Sequence, residues 1–143
     1  MTAGPSSVLD ASALLAFLRN EPGAAIVEQA LQAGAAICAV NWAEVLTKLA
    51  DLGEDPVVIR QRLSDQGLLG GDLVVIPAGE ELAVEIALLR PATRISGLSL
   101  ADRACLSLAR LMSLPVLTTE HTWASLKTGV EVRQIRTRKR HVK

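Results

Sequence analysis

Residues 6–18 read SSVLDASALLAFL. Val8 and Leu9 have the character of the inner part of a buried strand. Ala11 to Leu18 is rich in strong helix formers and contains neither Pro nor Gly. Between the two stands one carboxylate, Asp10. An acid at such a junction has two readings. It can cap the new helix by accepting a backbone N–H bond, which stabilises by about 1 kcal/mol. It can also sit at the carboxyl edge of a parallel sheet, where open α/β folds place their ligands.

The strand-then-helix pattern recurs along the chain. Strand-like runs fall at 6–10, 35–40, 73–77, 114–118 and 130–135. Helix-like segments fall between them at 11–19, 23–33, 42–52, 56–67, 79–90 and 100–113, with a shorter one at 121–127. Pro22, Pro56, Pro77, Pro91 and Pro115 punctuate the boundaries, as do Gly23, Gly34 and Gly53. Strands alternating with helices imply a mostly parallel sheet covered on both faces, hence one doubly wound α/β domain. With 143 residues, half of them hydrophobic, such a domain can bury a core without disulfides or structural metal.

Cys38 and Cys105 lie in apolar runs without CxxC spacing, so they read as core residues of a reducing compartment. No apolar run reaches membrane-spanning length and no secretory pattern opens the chain, so the expected setting is the cytoplasm. Charge is uneven: residues 1–132 hold 15 Asp/Glu and 9 Lys/Arg, whereas 133–143 hold 6 basic residues and no acid. The expected organisation is a folded domain over 1–135 and a basic tail over 136–143. In that tail Arg136, Arg138, Lys139 and Arg140 are candidates for contact with RNA phosphates. Phe17, Trp42 and Trp123 are the whole aromatic complement, which argues against base-stacking modules.

Several chemistries are excluded by missing residues. GLLGG at 67–71 lacks a P-loop ending, and no GxGxxG follows the first strand. No GxSxG elbow is present, and His121 and His141 are the only imidazoles. A haloacid dehalogenase-type phosphotransferase wants DxD, and here Asp10 is followed by Ala11 and Ser12. What remains is a set of acids at element boundaries: Asp10, Glu44 in NWAEVLTKL, Asp102 in LSLADRACLSLA and Glu120 in LTTEHTWASL. Each has a structural reading. Asn41 with Glu44, and Ser99 with Asp102, have capping-box spacing, and Glu120 can favour the positive end of a following helix. Together they suggest more. Two carboxylates about 4 Å apart repel by roughly 4 kcal/mol at an effective dielectric of about 20, so a convergent set needs protons or a cation. All-oxygen sites without Cys or His suit Mg²⁺ or Mn²⁺ rather than zinc, and such sites commonly act on phosphodiesters.

In order and separation, VLDASALLAFL, NWAEVLTKL, LSLADRACLSLA and LPVLTTEHTWASL make the chain resemble a PIN domain of the VapC type, the toxin half of a VapBC toxin–antitoxin pair. The resemblance implies a three-layer α/β/α sandwich and a Mg²⁺- or Mn²⁺-dependent endoribonuclease. It makes Asp10 and Asp102 metal ligands and counts Glu44 and Glu120 with them as catalytic acids. Ser12 and Thr118 become supporting hydroxyls, and Asn41 is left as a helix cap. The chain departs from the family at Glu120, where LTxDxxW is common. The resemblance also implies a cognate antitoxin and a toxin homodimer. The antitoxin's C-terminal segment would take an apolar groove formed by 42–52 and 56–69. The competing function is a non-catalytic PIN-like protein that binds RNA through its basic tail.

Overall fold

The computed structural model of the protein describes residues 4–137. Five strands form one parallel sheet: β1 (Ser7–Leu9), β2 (Ala35–Cys38), β3 (Leu73–Ile76), β4 (Val116–Thr118) and β5 (Val132–Gln134). Their spatial order is β3-β2-β1-β4-β5, with β1 at the centre. Seven helices connect them: α1 (Ala11–Leu18), α2 (Ala24–Ala33), α3 (Ala39–Asp51), α4 (Pro56–Asp65), α5 (Glu80–Leu88), α6 (Arg90–Thr93) and α7 (Leu100–Met112). The fold is the expected three-layer α/β/α sandwich.

Alternation along the short strands produces the layers. Leu9, Ile37 and Leu117 face one core, filled by Leu14, Val27, Val45 and Ile59 from α1 to α4. Their neighbours Val8, Ala36, Cys38 and Val116 face the other, filled by Leu82 of α5, Leu106 of α7 and Trp123. Successive residues thus serve opposite faces, which is why the buried strands β1, β2 and β4 read as largely apolar runs, whereas the edge strand β5 carries Arg133 and Gln134. At the end of β5 the chain is tied back to the α1–α2 loop. Arg136 Nε donates to Pro22 O at 2.8 Å, and a Cβ on Gly23 (φ +97°) would lie 2.8 Å from Ile135.

Three boundaries differ from the sequence reading. Helix α3 starts at Ala39, not 42, because the extended Cys38 (ψ 142°) passes straight into helix with no loop residue. Asn41 therefore lies inside the helix and is not its cap. The segment 79–90 ends as α5 at Leu88, with the short α6 following. The segment 121–127 holds only a 3-10 turn, Trp123–Ser125, because burying Trp123 fixes its path more strongly than helix propensity does. In the pair 42–52 and 56–69, Trp42, Val45, Leu49, Ile59, Leu63 and Leu68 are core, whereas Leu52, Val57 and Val58 are exposed.

Candidate metal centre

Strands β1 and β4 run side by side with Leu9 opposite Leu117, and the sheet continues from them in opposite directions. Open α/β sheets place ligands at such a switch point, beyond the carboxyl ends of the strands. Asp10 is the first residue past β1 and is 5 % exposed. Both readings of its role hold together. Its Oδ1 accepts from the Ala13 N–H at 2.8 Å, which makes it the N-cap of α1, and from Ser12 Oγ at 2.7 Å. Its Oδ2 accepts from Thr118 Oγ1 at 2.5 Å, a bond that joins residues 108 apart in sequence. Oδ1 thus carries two hydrogen bonds and Oδ2 one, so Oδ2 is the oxygen with acceptor capacity to spare.

The segment after β4 folds onto this acid. Thr118 Oγ1 accepts from the Glu120 N–H at 3.0 Å, and Ser12 Oγ accepts from the Thr119 N–H at 3.1 Å. Burial pushes the Asp10 carboxyl up to about 6. The bonds from Thr118, Ser12 and Ala13 pull it back, and the Glu120 charge adds to the rise. Thr118→Val would keep the shape but leave Asp10 Oδ2 and the Glu120 N–H without this partner. We expect a loss of about 1–3 kcal/mol in denaturant unfolding. An unchanged midpoint would mean that water replaces the hydroxyl without loss.

A cleft of about 290 Å³ opens here, lined by Asp10, Ser12, Asn41, Glu44, Asp102 and Glu120, with Ala11, Leu15 and Lys48. The four acids singled out in the sequence therefore share one cleft, although Thr118 does not line it. Asp102 also keeps its structural role. Its Oδ2 accepts from the Ser99 N–H at 3.1 Å while Ser99 Oγ accepts from the Asp102 N–H at 3.1 Å, a complete capping box. Asn41 and Glu44 share its sequence spacing but form no cap. Asn41 Nδ2 donates to Glu44 Oε1 and to Ala101 O, both at 3.0 Å, and so joins α3 to the start of α7. Its Oδ1 is buried without a partner.

This donor set fits a hard divalent cation in chemistry: carboxylates line the cleft, one of them is desolvated, and Asn41 in the same wall carries an orphaned amide oxygen. Among the described residues, no three His, Cys, Asp or Glu side chains are yet gathered closely enough to hold an ion. Glu44 and Glu120 are exposed, so gathering them calls for side-chain rotation at the surface rather than repacking of the core. Both cysteines are buried and free, and burial pushes their thiols up, which disfavours thiolate ligation.

Other polar side chains named from the sequence lie elsewhere. His121 is exposed, with Nδ1 2.9 Å from Gln134 Nε2. Gln134 Oε1 accepts from the Arg136 N–H, which orients the amide so that His121 Nδ1 is an acceptor. Arg136 pairs with Glu21 at 3.7 Å as well as with Pro22 O. Arg138, Lys139 and Arg140 lie outside the described residues. Lys48 was not singled out in the sequence, although its place four residues after Glu44 puts both on one helix face.

The PIN domain family model matches residues 7–127, and the chain belongs to the PIN domain family. No curated protein matches the chain. The fold is similar to that of a chain in a toxin–antitoxin complex from Klebsiella pneumoniae, with TM-score 0.68 and 22% identity over 91% of this chain and 98% of that one. It is similar to FitAcB from Neisseria gonorrhoeae, with TM-score 0.69 and 22% identity over 90% and 97%. A third likeness is to VapBC-5, a VapBC-family toxin–antitoxin system from Mycobacterium tuberculosis, with TM-score 0.52 and 21% identity over 93% and 100%. At these identities the likeness is one of fold.

Proposed function

We propose that the protein is a VapC-type toxin, a Mg²⁺- or Mn²⁺-dependent endoribonuclease. The observation that carries this reading is the meeting of Asp10, Glu44, Asp102 and Glu120 in one cleft at the sheet's switch point. A cleft built for phosphate binding alone would not be lined with four acids, because they repel the substrate. A divalent ion bound there would offset that repulsion and supply an activated water for phosphodiester hydrolysis. Asp10 and Asp102 would hold it, with Glu44 and Glu120 completing the acidic wall. Ser12 and Thr118 fix the Asp10 carboxylate, so its orientation is set before ligand arrives.

The partner assigned is a cognate antitoxin. Between α1, α3 and α4 lies a groove of about 390 Å³ lined by Phe17, Leu18, Leu49, Leu52, Ile59 and Leu63, among others. An apolar segment of the antitoxin would take this groove, and a basic side chain from it would compete with the metal for the carboxylates. A toxin homodimer and a cytoplasmic setting belong to the same reading. No described helix is long and apolar enough to cross a membrane.

The test is cleavage of single-stranded RNA by the purified chain. EDTA should abolish it, and Mg²⁺ or Mn²⁺ added in excess should restore it. Cleavage that persists in EDTA, or RNA left intact with either ion, would overturn the assignment.

A further inference from the structure

We propose that Asn41 is a positioning residue of the acid cleft: its Nδ2 sets Glu44 against α7, and its Oδ1 accepts a hydrogen bond from the hydration shell of a divalent cation. The inference rests on the metal-dependent reading above and assigns a residue that the sequence placed only as a cap.

Asn41 is 1 % exposed and lies in the first turn of α3, where α3 packs against α7. A buried amide in a native structure is normally satisfied on both sides. Here one side is complete. Both Nδ2 partners, Glu44 Oε1 and Ala101 O, are acceptors at 3.0 Å. Exchanging the amide nitrogen and oxygen would put a carbonyl against those two acceptors, so the orientation is fixed by chemistry. Oδ1 is then left buried with no donor.

The cleft cannot supply that donor from its acids. Ionised carboxylates only accept, and the Ser12 hydroxyl proton is already given to Asp10. Among the described residues, Lys48 is the one cation in the cleft wall, on the exposed rim of α3. A hydrated Mg²⁺ or Mn²⁺ brings what is missing: positive charge for the carboxylates and water O–H donors for the orphaned oxygen. Partners of this outer kind orient ligands, and losing one weakens metal affinity by about 10–100-fold. Asn41 also acts at the other end of the cleft. Its bond to Ala101, the residue before Asp102, couples the helix carrying Glu44 to the helix carrying Asp102.

The test uses the full chain, Mn²⁺ alone as probe and no RNA. Calorimetric titration compares wild type, Asn41→Ala and the control Val45→Ala, which removes buried apolar atoms one turn further along α3. Asn41→Ala should weaken Mn²⁺ binding by about 10–100-fold. Val45→Ala should lower the melting temperature while leaving Mn²⁺ affinity as in wild type. If Asn41→Ala does not fold, Asn41→Ser is titrated in its place, with the same loss expected. Wild-type affinity in the folded Asn41 variant would overturn the proposal and assign Oδ1 to an ordinary buried water. A wild type that binds no Mn²⁺ would overturn it too. Should Mn²⁺ binding depend on Asn41 while wild type leaves RNA intact, the nuclease reading falls and this one stands.

Discussion

Asp10→Asn and Asp102→Asn should each reduce RNA cleavage by more than about 100-fold while staying folded. Loss of an outer-shell partner alone weakens metal sites by about 10–100-fold, and on the proposed reading these substitutions remove ligand charge directly. The change is chosen because both acids have a second occupation. Asp10 caps α1 through Oδ1, and Asp102 closes the capping box of α7. Asn caps about as well as Asp and keeps one acceptor oxygen. A residue that serves only as a cap should therefore tolerate the substitution. Cleavage rates, melting temperatures and helical circular dichroism decide between the two occupations. Wild-type cleavage with unchanged melting in either variant would return that acid to capping alone.

Without divalent ions, wild type should lose stability relative to Asp10→Asn as pH rises from about 4 to 6. Burial raises the Asp10 carboxyl from 3.8 to about 6 in the folded state. Between those values the folded chain holds a proton that the unfolded chain has released. The stabilising contribution is fully present below the unfolded pKa and lost as pH passes the folded one. The difference across this window is on the order of 3 kcal/mol. Other titrating groups contribute to both proteins, so the difference between their urea midpoints in EDTA isolates Asp10. Adding Mn²⁺ at pH 7.5 should recover much of the loss in wild type and little in Asp10→Asn. A wild type that gains on the variant as pH rises would show that the hydrogen bonds from Thr118 and Ser12 outweigh desolvation.

The layers and two of the four acids, Asp10 and Glu120, were legible in the sequence because each rests on a local pattern. Continuous apolar runs mark strands buried on both faces, and an acid directly after such a run lies at the sheet edge. Asn41 was misread because three-residue spacing to an acid has two meanings. At a helix start it is a capping box; within a helix it places both residues on one face. Only the start at Ala39 separates them, and Ala39-Val40-Asn41 carries no breaker to mark it. Asp102 follows a loop rather than a strand, so its arrival in the cleft depended on how α7 packs. The bond from Asn41 to Ala101 records that packing and leaves no trace in composition. Residues 121–127 form only one tight turn because Trp123 is drawn into the core at 2 % exposure.

The bond between Thr118 and Asp10 spans 108 residues, so the cleft's most buried acid is held by a partner made much later in synthesis. At roughly 5–20 residues per second on the ribosome, Asp10 waits about 5–20 s for that hydroxyl. The β1–β4 pairing waits with it, and so does the bond from the Thr119 N–H to Ser12 Oγ. A nascent chain that has completed β1, β2 and β3 therefore lacks one wall of the cleft. Any activity of the cleft begins only after Thr118 has been made, 108 residues after Asp10, which would give a co-translationally recruited partner those seconds in which to act first.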